Sequence, residues 1–261
     1  MIEYLKIYLP KSKKEVKVEI SMPRYYDKNI SFDTLYFLDG QNAFKDSHAA
    51  FNRAIRATKY LGYMASITSQ KIIGVAIHNA GSDMGRINEY TPFPITNPAE
   101  EEWKNQDIEI CHNFCDDLIH TIIPYIEKKY STTKKRFIYG SSLAAITAIY
   151  LGYNYDVFSG IGAFSTASFL CEEAVNKFLK EKIRPNVKLF LYVGRQESSD
   201  GSYDQKLYYT TSLELCKLTK NLGGKVRLIV SDSGTHCEAT WEKQLLDFLS
   251  FLYFDDVIYR Y

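Results

Sequence analysis

Nowhere does this 261-residue chain approach the roughly 18 consecutive apolar residues that a membrane-spanning helix needs. The amino terminus, MIEYLKIYLPKSKKEVKVEI, lacks a basic segment followed by a long apolar run. A secretory leader is therefore not expected, and a cytoplasmic location is. Neither charge sign dominates: 32 basic residues face 31 acidic ones, a formal net charge of +1. That balance points to neither nucleic acid nor an acidic membrane as a partner. The five cysteines are an odd set without the spacing of a disulfide framework, so reduced thiols are expected. H-E-x-x-H, C-x-x-C and a glycine-rich phosphate cradle are all missing, so neither a metal nor a cofactor is expected. Without internal repeats or a low-complexity linker, one domain spanning residues 1–261 is expected.

What is present is the composition of a packed protein, 46% hydrophobic and 24% charged. Residues 3–9 and 15–21 carry alternating or β-branched apolar residues around a lysine-rich turn, which predicts a hairpin. Compact apolar runs follow at 34–39, 72–77, 136–140, 158–165, 187–194 and 225–231. Runs so short, without strict alternation, suit strands covered on both faces. Between them lie helical stripes. Ile108, Cys111, Cys115, Leu118, Ile119, Ile122 and Ile126 form one, with Pro124 expected to kink it. Trp241, Leu245, Phe248, Leu249 and Leu252 form another. The alternation predicts an α/β fold: a mostly parallel central sheet, opened by an antiparallel hairpin, with helices on both faces. Ligands of such sheets bind beyond the carboxyl ends of the strands.

The sharpest local signal, KRFIYGSSLAAITAIYLGY at 134–153, lies at such an end. An apolar strand runs into Gly140-Ser141-Ser142-Leu143-Ala144, and a helix of small residues follows at once. Small residues on both sides of a serine permit the tight turn that exposes a nucleophilic hydroxyl at a helix amino terminus. Ser142 is the candidate nucleophile. The strand KVRLIVS leads into Asp232-Ser233-Gly234-Thr235-His236, and of the five histidines only His236 follows the serine in chain order. It is the candidate general base. His112 and His120 lie in the helical segment 108–127 and read as helix-face residues.

The acid that orients the base belongs between them, after VKLFLYVG. Glu197 is the first choice there, with Asp200 and Asp204 in reserve. An oxyanion needs two backbone donors. The N–H of Leu143 is one candidate, and that of Gln41, behind Gly40 in the loop after TLYFLD, is the other. Cys237 neighbours His236, but the elbow holds a serine, so a cysteine nucleophile is set aside.

Six segments in one order resemble the putative-esterase family of α/β-hydrolases, which takes in esterase D, enterochelin esterases and feruloyl esterase modules. They are LYFLDGQNAF (35–44), GRINEYTPF (85–93), IPYIEKKY (123–130), GSSLAA, VGRQE (193–197) and SGTHCEATW (233–241). The chain departs from the family in carrying Ala144 and Ala145 where two glycines are usual. The resemblance implies the α/β-hydrolase fold and a serine esterase without cofactor. Its substrate would be a small or sugar-linked carboxylic ester, cleaved through an acyl-serine intermediate. Acyl transfer at the same site and a catalytically silent binding protein on the same fold are the alternatives. Arg86, Glu89 and Tyr90 match the family's R-x-x-E-Y pattern. Arg86 and Glu89 are expected to form an ion pair bracing the long polar segment 79–103, with substrate contact by Arg86 the other reading. Tyr90, Phe93 and Trp103 are expected to line an acyl or aromatic pocket, beside Gly40. Oligomeric state, homo-oligomer included, stays open.

Overall fold

A computed structural model describes residues 2–24, 26–97, 101–198 and 205–254. Its centre is one eight-stranded sheet in the order β1-β2-β4-β3-β5-β6-β7-β8. The strands are β1 (Ile2–Leu9), β2 (Lys14–Ser21), β3 (Phe32–Phe37), β4 (Ile72–Ile77), β5 (Thr132–Ser141), β6 (Gly160–Phe164), β7 (Lys188–Gln196) and β8 (Lys225–Thr235). β1 and β2 form the predicted hairpin, and β2 joins β4 antiparallel. Every pairing from β4 through β8 is parallel. Parallel neighbours need crossovers, which the helices supply. They are α1 (Ala57–Ile67), α2 (Asp83–Tyr90), α3 (Ile108–Asp117), α4 (Ile123–Lys129), α5 (Leu143–Asn154), α6 (Glu172–Lys182), α7 (Gln205–Asn221), α8 (Glu238–Glu242) and α9 (Leu245–Tyr253).

Strand periodicity divides the interior into two cores. Tyr36, Ile138, Leu189, Leu191 and Val193 face one cluster, shared with α3, α5 and α6. Leu35, Phe37, Phe137, Tyr139, Phe190 and Tyr192 face the other, closed by α1 and α9. The second face is rich in rings: Phe164 meets Tyr139, Phe190, Tyr192 and Phe248. With both faces covered, the strands read as continuous apolar runs instead of alternating ones. The α/β-hydrolase fold and its antiparallel opening are thus present.

One predicted helix differs in detail. The helical stripe from Ile108 runs without a break through α3, a wide turn at Leu118–Ile122, and α4, with the irregularity just before Pro124. Within that turn Ile123 N–H bonds the carbonyl of Leu118, five residues back. Pro124 is the second residue of α4. Upstream carbonyls lose a donor there, and the wider turn takes up the mismatch.

Candidate active site

The carboxyl ends of β3, β5, β6, β7 and β8 lie along one edge of the sheet. At the end of β5 the backbone turns at Ser142 with φ 60° and ψ −124°, a sparsely populated conformation that costs about 1–3 kcal/mol. Its neighbours sustain it. Ser142 N–H donates to Phe164 O at 2.9 Å, and Ser142 O accepts from Ala145 N–H at 3.2 Å and Ala167 N–H at 3.3 Å. Gly140 makes the turn possible, since a Cβ there would stand 2.1 Å from Ala144 O. Ser142 is half-buried at the amino end of the twelve-residue α5.

His236 follows β8, whose end bulges: β7 residues Gly194 and Gln196 pair with β8 residues Ser231 and Thr235. The extra residues on β8 bring His236 back over β7, the kind of re-aiming that bulges perform beside sites. His236 Nδ1 lies 2.7 Å from Glu197 Oε2. Glu197 is 4% exposed. Its Oε1 accepts from Gly194 N–H at 2.6 Å and from the Ser165 hydroxyl at 2.6 Å. Trp241 Nε1–H donates to Ser165 Oγ at 2.8 Å. The imidazole sits between Tyr208 and Trp241, with ring centroids 4.8 and 5.1 Å away. Of the three carboxylates considered from sequence, the structure brings Glu197 to His236; Asp200 and Asp204 lie outside the described residues.

The loop after β3 forms the second half of the site. Asp39 takes a left-handed conformation, φ 51°, before a single tight turn at Gly40–Asn42. Gly40 packs so closely on β4 that a Cβ would stand 2.4 Å from Ala76 C and Ile77 N. The N–H groups of Gln41 and Leu143 both lie in first turns, where helical geometry offers no carbonyl partner. Arg86 clamps Asp39 from two sides, at 3.0 Å from Nε and 2.6 Å from Nη2. Asn79 Nδ2 donates to Asp39 Oδ1 at 2.6 Å, and Asp39 N–H donates to the Tyr90 hydroxyl at 2.9 Å. Burial works against the Arg86 charge, but the adjoining Asp39 carboxylate more than reverses that and raises its pKa. Asn42 ties the same loop to α8, donating to Glu238 Oε1 at 2.8 Å. Burial holds the Glu238 carboxyl above its usual range.

Two expectations need correction. Arg86 and Glu89 do not pair with each other: Glu89 takes Lys14 Nζ at 2.7 Å and Ala80 N–H at 2.7 Å. Local spacing favours the intrahelical pair, but folding brings the buried Asp39 carboxylate to Arg86, and a planar fork binds it at two points. Tyr90 is fully buried with its hydroxyl on the Asp39 backbone, so it supports the loop instead of lining an open pocket. Trp103 and Phe93 are half-buried against the first core cluster. Phe93 packs on Tyr150 and Phe178. Sequence reasoning missed the working roles of Ser165, Asp39, Asn42 and Glu238. Trp241 reads in sequence as part of an apolar stripe, which does not reveal its hydrogen bond to Ser165.

Among the described residues, no group of three His, Cys, Asp or Glu side chains is arranged to hold a metal ion. No helix among them is long and apolar enough to cross a membrane.

In overall shape the chain is similar to an IroE-like serine hydrolase from Shewanella oneidensis, with 18% identity and a TM-score of 0.80 over 99% of this chain and 82% of that one. It is similar also to the enterobactin esterase FES from Shigella flexneri, crystallised in the presence of enterobactin. There the identity is 14% and the TM-score 0.75, over 97% of this chain and 58% of the other. A ferulic acid esterase from Anaeromyces mucronatus, in complex with ferulic acid, gives 18% and 0.67 over 95% and 89%. No curated protein matches the sequence. The family model described as "Putative esterase" matches residues 10–252, which include every segment of the edge just described. The chain therefore belongs to the putative-esterase family, a family of ester hydrolases.

Proposed function

We propose that this esterase cleaves carboxylic esters through an acyl-serine intermediate, with Ser142 as nucleophile, His236 as general base and Glu197 as the acid that orients it. The observation that carries the reading is the Glu197–His236 contact of 2.7 Å, on the sheet edge where Ser142 occupies a strained strand-to-helix turn. Three donors converge on the Glu197 carboxylate: Gly194 N–H, the Ser165 hydroxyl and His236 Nδ1–H. With its proton on Nδ1, His236 keeps the lone pair on Nε2 for the serine proton. Ser142 Oγ attacks the ester carbonyl as Nε2 takes that proton, and the N–H groups of Leu143 and Gln41 stabilise the oxyanion. Collapse returns the proton to the departing alcohol. Water, deprotonated by His236, then releases the acid and restores the serine.

Small or sugar-linked esters are the substrate class. Neighbours named for enterobactin and ferulic acid make aromatic acyl groups the first to try. A fluorophosphonate probe tests the mechanism, because only an activated serine labels quickly. Wild type should label and hydrolyse p-nitrophenyl acetate, whereas Ser142→Ala should do neither and lose at least ~10³-fold in turnover. Undiminished turnover in folded Ser142→Ala would sink the reading. Rates on acetyl-sugar and feruloyl esters would then separate the two substrate classes.

A further inference from the structure

Between the strand that carries Ser142 and the strand that precedes Glu197 runs β6, which supplies no member of the proposed triad. Its carboxyl end nevertheless touches both. Phe164 O accepts the Ser142 N–H at 2.9 Å, and Ala167 N–H donates to Ser142 O at 3.3 Å. Between these two contacts sits Ser165, fully buried and held at φ 46°. Its N–H donates to Tyr192 O at 2.7 Å, and its hydroxyl donates to Glu197 Oε1. A left-handed serine is uncommon and persists where its surroundings over-determine it.

We infer that Ser165 is a positioning residue, whose hydroxyl fixes the Glu197 carboxylate against His236 and sets it in register with the nucleophile turn. The inference rests on the functional reading above. The direction of the hydrogen bonds is settled by chemistry. An indole N–H only donates, so Trp241 occupies a lone pair of Ser165 Oγ at 2.8 Å. A carboxylate only accepts, so the single hydroxyl proton of Ser165 points to Glu197 at 2.6 Å. Trp241 and Glu197 together leave that hydroxyl one orientation. With Gly194 N–H also on Oε1, one oxygen is held by two donors and cannot swing, which leaves Oε2 facing Nδ1. The indole that fixes Ser165 also packs edge-on against His236, with centroids 5.1 Å apart. Acid and base are therefore aligned from one anchor. Ser165 touches no reacting atom; it acts through Glu197.

Two variants separate the hydroxyl from the backbone strain. Ser165→Ala removes the hydroxyl and keeps a side chain at positive φ, while Ser165→Gly removes the hydroxyl and relieves φ. Both should lower kcat on p-nitrophenyl acetate by about 10–100-fold with KM within about twofold, as loss of a charge-assisted hydrogen bond requires. The acidic limb of the kcat/KM profile should also move to higher pH, since a donor to the charged acid is gone. A purely structural role predicts otherwise: Ser165→Gly would return kcat and the acidic limb to wild type, and that result overturns the inference. Fluorophosphonate labelling of wild type is read first. If wild type does not label, the serine-esterase reading has failed, and the role of Ser165 falls with it before any Ser165 variant is made.

Discussion

Arg86→Ala is the most informative single change at this site. Arg86 holds Asp39 with two arms, and Asp39 carries the left-handed turn that presents Gly40 and Gln41. Asp39 is 5% exposed, so losing the guanidinium leaves a buried carboxylate with Asn79 as its remaining side-chain donor. Breaking a buried ion pair from one side costs about 3–5 kcal/mol. The Arg86 side chain is 28% exposed, so water screens part of the pair and about 2–3 kcal/mol is the working figure. At about 2–4 °C per kcal/mol for a chain of this size, Tm should fall by about 4–12 °C. Catalysis should suffer separately. Deleting one oxyanion donor costs about 10²–10³ in kcat, and loosening the loop that carries it should cost about 10–100-fold. Arg86→Lys retains the charge without the two-point fork and should fall between wild type and Arg86→Ala in both measurements. Thermal melts and p-nitrophenyl acetate turnover, taken well below the lowered Tm, give both numbers. If Arg86→Ala melts as predicted but keeps kcat within about threefold of wild type, the loop does not present a catalytic donor, and the oxyanion assignment of Gln41 is wrong.

Three further outcomes are expected. If neutral His236 is the base, kcat/KM should fall on acidification, because a protonated imidazole cannot take the serine proton; a flat profile from pH 5 to 9, with chemistry rate-limiting, would count against it. Glu197→Gln should keep the fold yet lower kcat by at least ~10²-fold, because an amide must offer its NH2 either to the Gly194 and Ser165 donors or to His236 Nδ1–H; a loss under fivefold would return attention to Asp200 and Asp204. Glu238 has its carboxyl pKa raised by burial, so the folded state binds a proton that the unfolded state has released, and stability is lost as pH rises from about 4.5 through the folded pKa. Glu238→Gln should therefore raise Tm at pH 7 by about 1–3 °C and give no gain near pH 4, as measured by melts at the two pH values.

The strands were legible because each is a short apolar run, and the proposed triad because each member stands within a few residues of a run's end. Ser142 follows the last residue of β5, Glu197 the last of β7 and His236 the last of β8. Local sequence carries that information. It does not carry the contacts that cross the sheet. Arg86 and Glu89 are three apart on a helix, which makes a local pair the natural expectation, whereas Asp39 lies 47 positions away from Arg86 and arrives only through the β3–β4 pairing. Tyr90 lies in the long polar segment expected beside the site, and nothing in its neighbourhood announces a backbone N–H 51 positions away. Ser165 looked like the end of an apolar run; its role requires a carboxylate and an indole, 32 and 76 residues distant.

Ala144 and Ala145 illustrate the same limit from the opposite side. In sequence they are the departure from the family that keeps a silent binding protein in consideration, since added methyls beside a nucleophile threaten to narrow the site. In the fold both residues are fully buried and belong to the core cluster that α5 forms against the sheet. The tight approach at this turn belongs to Gly140, whose missing Cβ makes room for the Ala144 carbonyl. A methyl on α5 that packs into the core contributes burial, and alanine favours the helix over glycine by about 1 kcal/mol. That gain falls in the helix whose first turn follows Ser142 and helps hold its strained backbone. The substitution therefore strengthens the element that supports the proposed nucleophile, and it gives the silent reading no support.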